Sequence, residues 1–345
     1  MDLNERIKAF ANLGLQMKVI PEEVATAAYQ QNTWFTKNNI DNAAKVWAET
    51  LTEENIKLWL KRYAAESGDS LKRKGKKGLR IGVINAGNIP FVGLHDFISV
   101  LISGNMYVGK NASDDSILLP YISKLLIDIE PKFSKRISFT ERLVNPEAVI
   151  ATGSNNTSRY FEYYFSKYPH IIRKNRNAVA VLSGEENEGE LKSLGKDIFQ
   201  YFGLGCRNVS KLYVPKGYSF NTFFESMLGF AEVMQHNKYM NNFEYNNAIL
   251  LLKRIPFLQN GFLIIREESR IASPIAVLHY EYYDSINEVE EKLINEKEKI
   301  QCVVSSSSLS INNIPVVRPG ETQSPTLWDY ADGVDTMEFL LKIEA

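Results

Sequence analysis

From residue 79 onward the sequence alternates short β-branched runs with helix-length amphipathic stretches, and this alternation restricts the fold more than any other feature. Strand-like runs at 79–84, 105–110 and 148–151 are separated by stretches of helical periodicity at 90–101 and 116–127, and a further helix is expected at 157–165. A second alternating section opens with a strand at 178–182. It continues with a helix at 189–202, a strand at 209–214, a helix at 218–234, strands near 262–265 and 275–280, a helix at 286–294 and a closing strand at 302–305. Strands that alternate with helices of this length predict an α/β fold built from parallel βαβ units. Residues 2–68 read as helices alone: Pro21 and the acids after it suit one helix start, and Thr52 suits another as an N-cap.

A chain of 345 residues exceeds the usual size of one domain, and two are expected. With 44% apolar and 23% charged residues, the composition is that of an ordinary globular protein able to bury a core. The net charge of −1 gives no broad electrostatic ground for binding nucleic acid or an anionic membrane. The basic run at 72–77 reads as a solvated linker before the first strand. The longest apolar stretch, 81–109, is interrupted by Asn85, Asn88, His95, Asp96 and Asn105 and makes a poor membrane span. Early acids and the lack of an apolar segment at the N-terminus predict no signal peptide and a cytoplasmic location.

The residue with the most chemical promise is Cys206. It follows a helical stretch that ends in Gly203-Leu-Gly205, and it precedes the strand at 209–214. The two glycines clear bulk from the approach to the sulfur and allow backbone angles that other residues resist. A thiolate is the best nucleophile among ordinary side chains near neutral pH. The competing reading is a small buried apolar residue, the common fate of a cysteine outside a disulfide. Cys302, inside a strand-like run, reads as structural. Two cysteines cannot build a disulfide framework, and with His95, His170, His236 and His279 they make no zinc-ligand spacing.

Three loops after strands add candidates. Asn88 sits in a turn bracketed by Gly87 and Pro90; its amide could donate to a developing oxyanion without titrating, or simply bond its own backbone. The segment 151–158, with Gly153 and Ser154, runs from a strand into a helix, whose first amides favour an anion such as a dinucleotide phosphate. Lys110 ends a strand, where it either reaches a ribose or phosphate or is merely solvated. Glu188 and Glu190 read as helix caps, and the acidic and basic run from Glu288 as a solvated helical face. Neither a phosphate-binding Walker loop nor a GxSxG elbow occurs.

Five segments taken together carry a resemblance: Asn85-Ala-Gly-Asn-Ile-Pro90, Gly104-Asn-Met-Tyr-Val-Gly-Lys110, Ala151-Thr-Gly-Ser-Asn155, Gly203-Leu-Gly-Cys-Arg207 and Gln323-Ser-Pro-Thr-Leu-Trp-Asp-Tyr-Ala-Asp-Gly-Val334. In this order, over roughly 75–345, the chain resembles the aldehyde dehydrogenase superfamily, and within it the fatty acyl-CoA reductases of the LuxC family. The resemblance implies a Rossmann-type dinucleotide-binding domain with a helical N-terminal region over 1–177, rejoined by 317–345, and an α/β catalytic domain over 178–316. It implies Cys206 as the nucleophile that forms a thioester, Asn88 as an oxyanion donor, Lys110 as a contact to the cofactor ribose or its phosphate, and Gly153 and Ser154 beside the pyrophosphate. Glu268 lies near the place of a glutamate that holds the nicotinamide ribose in relatives, although its spacing to Pro274 differs. The cofactor implied is NADPH or NADH, and a homo-oligomer is implied as well.

One departure bears on the reaction. Hydrolytic aldehyde dehydrogenases carry a glutamate in a Glu-Leu-Gly-Gly segment upstream of the nucleophile, where it activates water against the thioester. Counting back from Cys206 reaches His170-Ile-Ile-Arg-Lys-Asn175, with no glutamate; His170 either serves as a base in that vicinity or has the burial or surface role commoner for a lone histidine. The expectation is reduction of an acyl thioester, from acyl-CoA or an acylated carrier protein, to an aldehyde. The alternatives are oxidation of an aldehyde to an acid and a non-catalytic cofactor-binding protein that carries acyl groups.

Overall fold

The computed structural model describes residues 1–63 and 78–343; the basic run at 72–77 lies outside the described residues. The chain divides into two compact units, Met1–Lys174 with Thr326–Ala345, and Asn175–Pro325.

The first unit opens with four helices, Leu3–Gln16, Glu22–Gln31, Lys37–Thr50 and Glu53–Lys61. Local chemistry starts three of them. Asp2 and Glu5 exchange side-chain bonds with each other's backbone amides, and Thr36 and Thr52 accept from the amides of Asn39 and Asn55. Each such cap satisfies amides that the helix itself cannot.

A five-stranded sheet follows, made of β1 (Arg80–Ile84), β2 (Met106–Lys110), β3 (Ile137–Phe139), β4 (Ala148–Thr152) and β5 (His170–Arg173), in the order β3-β2-β1-β4-β5. All its pairings are parallel. The middle of β1 (Ile81–Val83) and β4 as far as Ala151 are buried, which suits the Ile, Val and Ala there. The strand order reverses direction between β1 and β4. That reversal opens a crevice beyond the carboxyl ends of the strands, where ligands bind in sheets of this kind.

The last segment returns to this unit and is tied down by polar groups. Arg173 holds Asp96 through two bonds and Thr336 through a third. Trp59 and Tyr63 both bond the Tyr330 hydroxyl at 2.6 Å, and Tyr63 donates to Asp335 at 2.7 Å. The Arg62 guanidinium lies 4.7 Å from the centre of the Trp328 ring.

The second unit is built on seven strands: β6 (Asn177–Val181), β7 (Val209–Pro215), β8 (Leu258–Gln259), β9 (Ile264–Glu267), β10 (Val277–Tyr283), β11 (Ile300–Val304) and β12 (Val316–Val317). Their order is β12-β11-β6-β7-β10-β9-β8, parallel except for the β8–β9 pair. Val179, Val181, Tyr213, Val289, Leu293, Ile300 and Val303 fill one core of this unit. Cys302, on β11, is fully buried, as its structural reading expects.

The divisions between the units fall at 174/175 and 325/326, where the sequence suggested 177/178 and 316/317. Two features keep 317–325 with the second unit. β12 pairs with β11, and the Asp197 carboxylate accepts from Gly320 N, Thr322 N and Thr322 Oγ1 at 2.6, 3.1 and 2.7 Å.

Several elements differ from expectation. The helix expected over 189–202 is Glu188–Phe199, because Tyr201 and Phe202 take left-handed backbone angles that no helix admits. The helix expected over 218–234 stops at Met227 and continues as a 3-10 turn, Leu228–Gln235. A long helix, Asn237–Leu252, stands where the sequence pattern announces none. Among the described residues, no helix is long and apolar enough to cross a membrane.

Candidate active site

In the first unit, the strand register gathers the candidate residues at one edge of the sheet. Ile84, the last residue of β1, pairs with Lys110 of β2 and with Ala151 of β4. The Asn88 turn, the Lys110 side chain and the Gly153-Ser154 loop therefore all leave from the carboxyl edge, and the first and last of them flank the β1–β4 reversal. Lys110, Asn88 and Ser154 are exposed there.

The turn that carries Asn88 is held from beneath. Asn32 donates to Gly87 O at 3.1 Å, and the Asn85 amide nitrogen donates to Lys110 O at 3.0 Å. The Asn85 side chain is buried, and its Nδ2 donates to Tyr107 Oη and Asn111 Oδ1 at 2.8 and 3.0 Å. A Cβ at Gly87 would stand 2.8 Å from Ala112 Cβ, so only glycine lets the turn lie this close to the loop after β2. Phe91, immediately after Pro90, has φ 59° and a buried ring. A bulky residue in that region is strained, and such strain persists only where the surroundings over-determine it. Asp115 closes this corner. Burial pushes its carboxyl up to about 6, and it accepts from Leu118 N at 3.2 Å.

Ser154 caps the helix Asn155–Phe165 by accepting from Thr157 N at 3.2 Å. A Cβ at Gly153 would come within 2.9 Å of the Phe161 ring, so the glycine sets how closely the loop seats on its helix. An exposed cation, a helix start and a strand-order reversal on one sheet edge suit the ribose and phosphates of a dinucleotide.

His170 does not belong to this edge. It is the first residue of β5 and pairs with Val149, at the opposite end of the strands from the Thr152–Arg173 pair. A general base there cannot serve groups at the carboxyl edge.

In the second unit, Cys206 occupies a turn between Phe199 and β7 and is half-buried. The chain enters it through three consecutive left-handed residues, Tyr201 (φ 53°), Phe202 (φ 56°) and Gly203 (φ 79°). The two aromatic residues each cost about 1–3 kcal/mol in that conformation. Their rings are buried, and burial pushes the Tyr201 phenol up to about 12. Phe202 packs on the His236 ring at 4.3 Å between centroids.

One residue the sequence does not single out fixes this turn. The Asn208 side chain is 1% exposed. Its Oδ1 accepts from Gly205 N at 2.8 Å, and its Nδ2 donates to the carbonyls of Asp197 and Gln200 at 3.2 and 2.6 Å. The only hint in the sequence is an asparagine two residues past the thiol, in a segment that must turn.

Glu268 follows β9. Its carboxylate accepts from Arg270 at 3.0 Å and also from Arg266, and these guanidinium groups, Arg270 foremost, hold it down at about 2. His279 donates from Nδ1 to Arg270 O at 2.8 Å, and burial pushes its imidazole down to about 4.

Comparison with solved structures covers nearly the whole chain. An aldehyde dehydrogenase 21 from Physcomitrella patens, solved with the reaction product succinate, superposes with a TM-score of 0.67 over 99% of this chain and 84% of that one, at 14% identity. The fold is that of the aldehyde dehydrogenases. An indole-3-acetaldehyde dehydrogenase complexed with NAD+ matches at TM-score 0.63 and 12% identity, covering 94% of this chain and 74% of its own. An NADP-dependent enzyme of E. coli matches at 0.64 and 12%, covering 92% and 78%. No family model matches the sequence, and no curated protein sequence matches it. The aldehyde dehydrogenase architecture is thus carried here by a chain that shares few residues with these structures.

Proposed function

We propose that this protein reduces an acyl thioester, of acyl-CoA or an acylated carrier protein, to an aldehyde with NADPH or NADH, by way of a thioester on Cys206. The Cys206 thiolate attacks the thioester carbonyl carbon; a new carbon–sulfur bond forms and the carrier thiolate departs with a proton. Asn88 donates its amide to the oxyanion that develops during attack, a neutral donor whose strength does not change with pH. Splitting the reaction at a covalent intermediate replaces one hard step by two easier ones.

Lys110, with the backbone of Gly153 and Ser154, would hold the ribose and phosphates of the cofactor, which when bound supplies the hydride that reduces the acyl carbon. The neighbours solved with NAD+ or described as NADP-dependent support this choice of cofactor.

The observation that carries the direction of the reaction is β5. Counting back from Cys206 to where the resembled hydrolytic enzymes carry the glutamate that activates water reaches His170–Asn175; His170–Arg173 of that segment form this strand, with Ile171 buried and the Arg173 guanidinium bonded to Asp96 and Thr336. With no carboxylate in that strand, attack of water on the thioester is slow. The acyl group survives to be reduced rather than released as acid.

A product assay tests the reading. Thioesters of graded chain length with NADPH, and separately with NADH, are expected to give aldehyde with loss of reduced-nicotinamide absorbance. Acid produced from aldehyde and an oxidised nicotinamide without any carrier thiol, with thioesters left untouched, would reverse the assignment. Acylation of Cys206 with no hydride transfer to it under any condition would reduce the protein to an acyl carrier.

A further inference from the structure

The turn bearing Cys206 combines two features that do not coexist without a restraint. Tyr201 and Phe202 sit in a conformation that bulky residues avoid, and the chain then has to re-enter β7 at Val209. A carboxamide at Asn208 spans the turn from inside. It accepts from Gly205 N, one residue before the thiol, and donates to the carbonyls of Asp197 and Gln200, at the end of the helix Glu188–Phe199. The backbone of Asn208 is engaged as well: its amide nitrogen donates to Gly205 O and its carbonyl accepts from Ala178 N, each at 3.1 Å. The Asp197 carboxylate in turn anchors Gly320 and Thr322. Helix end, thiol turn and strand β6 thus meet at Asn208, and Asp197, whose carbonyl it holds, ties in Gly320 and Thr322 through its carboxylate.

We infer that Asn208 is a positioning residue for Cys206: its three side-chain bonds set the backbone of the Gly205-Cys206 turn and hence the direction in which the sulfur meets a substrate carbonyl. The inference deepens the reading of Cys206 as nucleophile and rests on it for its catalytic meaning. The carboxamide is matched to the task, because the turn needs an acceptor on one side and two donor hydrogens on the other. Asn supplies all three, and neither Asp nor Ala does. Displacing a nucleophile by an ångström from its attack geometry costs about a hundredfold, and outer residues that orient a reactive group typically account for about ten- to a hundredfold.

The test uses Asn208→Asp, whose side chain changes donor capacity with pH. Protonated, it keeps a donor for one carbonyl and an acceptor for Gly205 N; ionised, it turns a negative oxygen toward two carbonyl oxygens. Iodoacetamide labelling of Cys206, followed by peptide mass spectrometry from pH 5 to pH 8.5, is compared with the wild-type protein. The expected result is a variant-to-wild-type rate ratio that shifts by about tenfold or more across this range. Acylation of Cys206 by an acyl-CoA in the same variant should fall about ten- to a hundredfold at pH 8 and recover toward wild type at pH 5.5. A labelling ratio constant within about twofold contradicts the inference, as does a folded Asn208→Ala that acylates at the wild-type rate. Should Asn208→Ala not fold, the Asp variant alone decides, since its readout is a ratio between pH values in one protein. A wild-type protein that labels but never acylates would sink the nucleophile reading, while the labelling ratio would still decide the positioning role.

Discussion

Arg173, the last residue of β5, grips Asp96 on the helix Leu94–Ile102 through two hydrogen bonds of 2.5 and 2.8 Å, with both side chains 7% exposed. The same guanidinium donates to Thr336 at 2.8 Å, at the start of the last helix, Thr336–Lys342. One buried fork therefore joins the end of the sheet, the helix after the Asn88 turn and the returning C-terminal segment. Removing one member of such a pair costs more than the pair contributes, because the other charge stays buried. Asp96→Ala should lower stability by about 3–5 kcal/mol, read as a shift in the urea midpoint. Exchanging both members for apolar residues of similar volume should recover much of that loss. A single variant as stable as the wild type would show that the pair is not holding the unit together.

His279 provides a pH prediction for the second unit. Its folded-state pKa lies near 4, below the ordinary 6.5, chiefly through burial. A depressed pKa means that the unfolded chain binds the proton more readily. The contribution of this group is therefore present above pH 6.5 and drains away as the pH falls toward 4. The fall in stability across that window should be about 2–3 kcal/mol. His279→Gln, which keeps a donor for Arg270 O, should flatten the curve there. An identical pH dependence in wild type and variant would remove His279 as its cause.

What the sequence reveals depends on whether the deciding interaction is local. β1, β2 and β4 are legible because each carries a short apolar run, with Ile81, Val83 and Ile84, with Met106 to Val108, and with Ala148 to Ala151, and the Thr52 cap is legible because its partner lies three residues away. β5 is not, since four residues with an exposed His170 give no strand signal. The helix Asn237–Leu252 hides behind Asn237, Asn241, Asn242, Asn246 and Asn247, residues that favour turns and caps by intrinsic preference, and it is packing that overrides them, with Tyr239, Phe243 and Leu250 buried. The helix expected to run on to 202 ends early at the left-handed Tyr201 and Phe202, and carbonyls at its end are satisfied from farther along the chain, where Asn208 donates to Asp197 O and Gln200 O. Cys206 and Asn88 stand out as motif residues, whereas Asn208, Asn85 and Asn32, which hold the two turns, become visible only through their partners.

Asn88 should behave as a donor to developing charge. Asn88→Ala is expected to lower kcat for thioester reduction by about 10²–10³, the typical loss of one oxyanion donor. KM should move much less, because the bond forms mainly in the transition state. Asn88→Asp should be at least as damaging, since an acceptor would face the oxyanion. Steady-state kinetics on both variants decide this, and an Ala variant with an unchanged kcat would remove Asn88 from the chemistry.

The most direct measurement is intact-mass spectrometry of the protein mixed with an acyl-CoA in the absence of any nicotinamide. The account predicts a single acyl adduct that maps to Cys206, persists for many times the turnover period, disappears on adding NADPH or NADH with release of aldehyde, and does not form in Cys206→Ala. An adduct that forms equally in Cys206→Ala, or a wild-type protein that takes up no acyl group while fully folded, would contradict it.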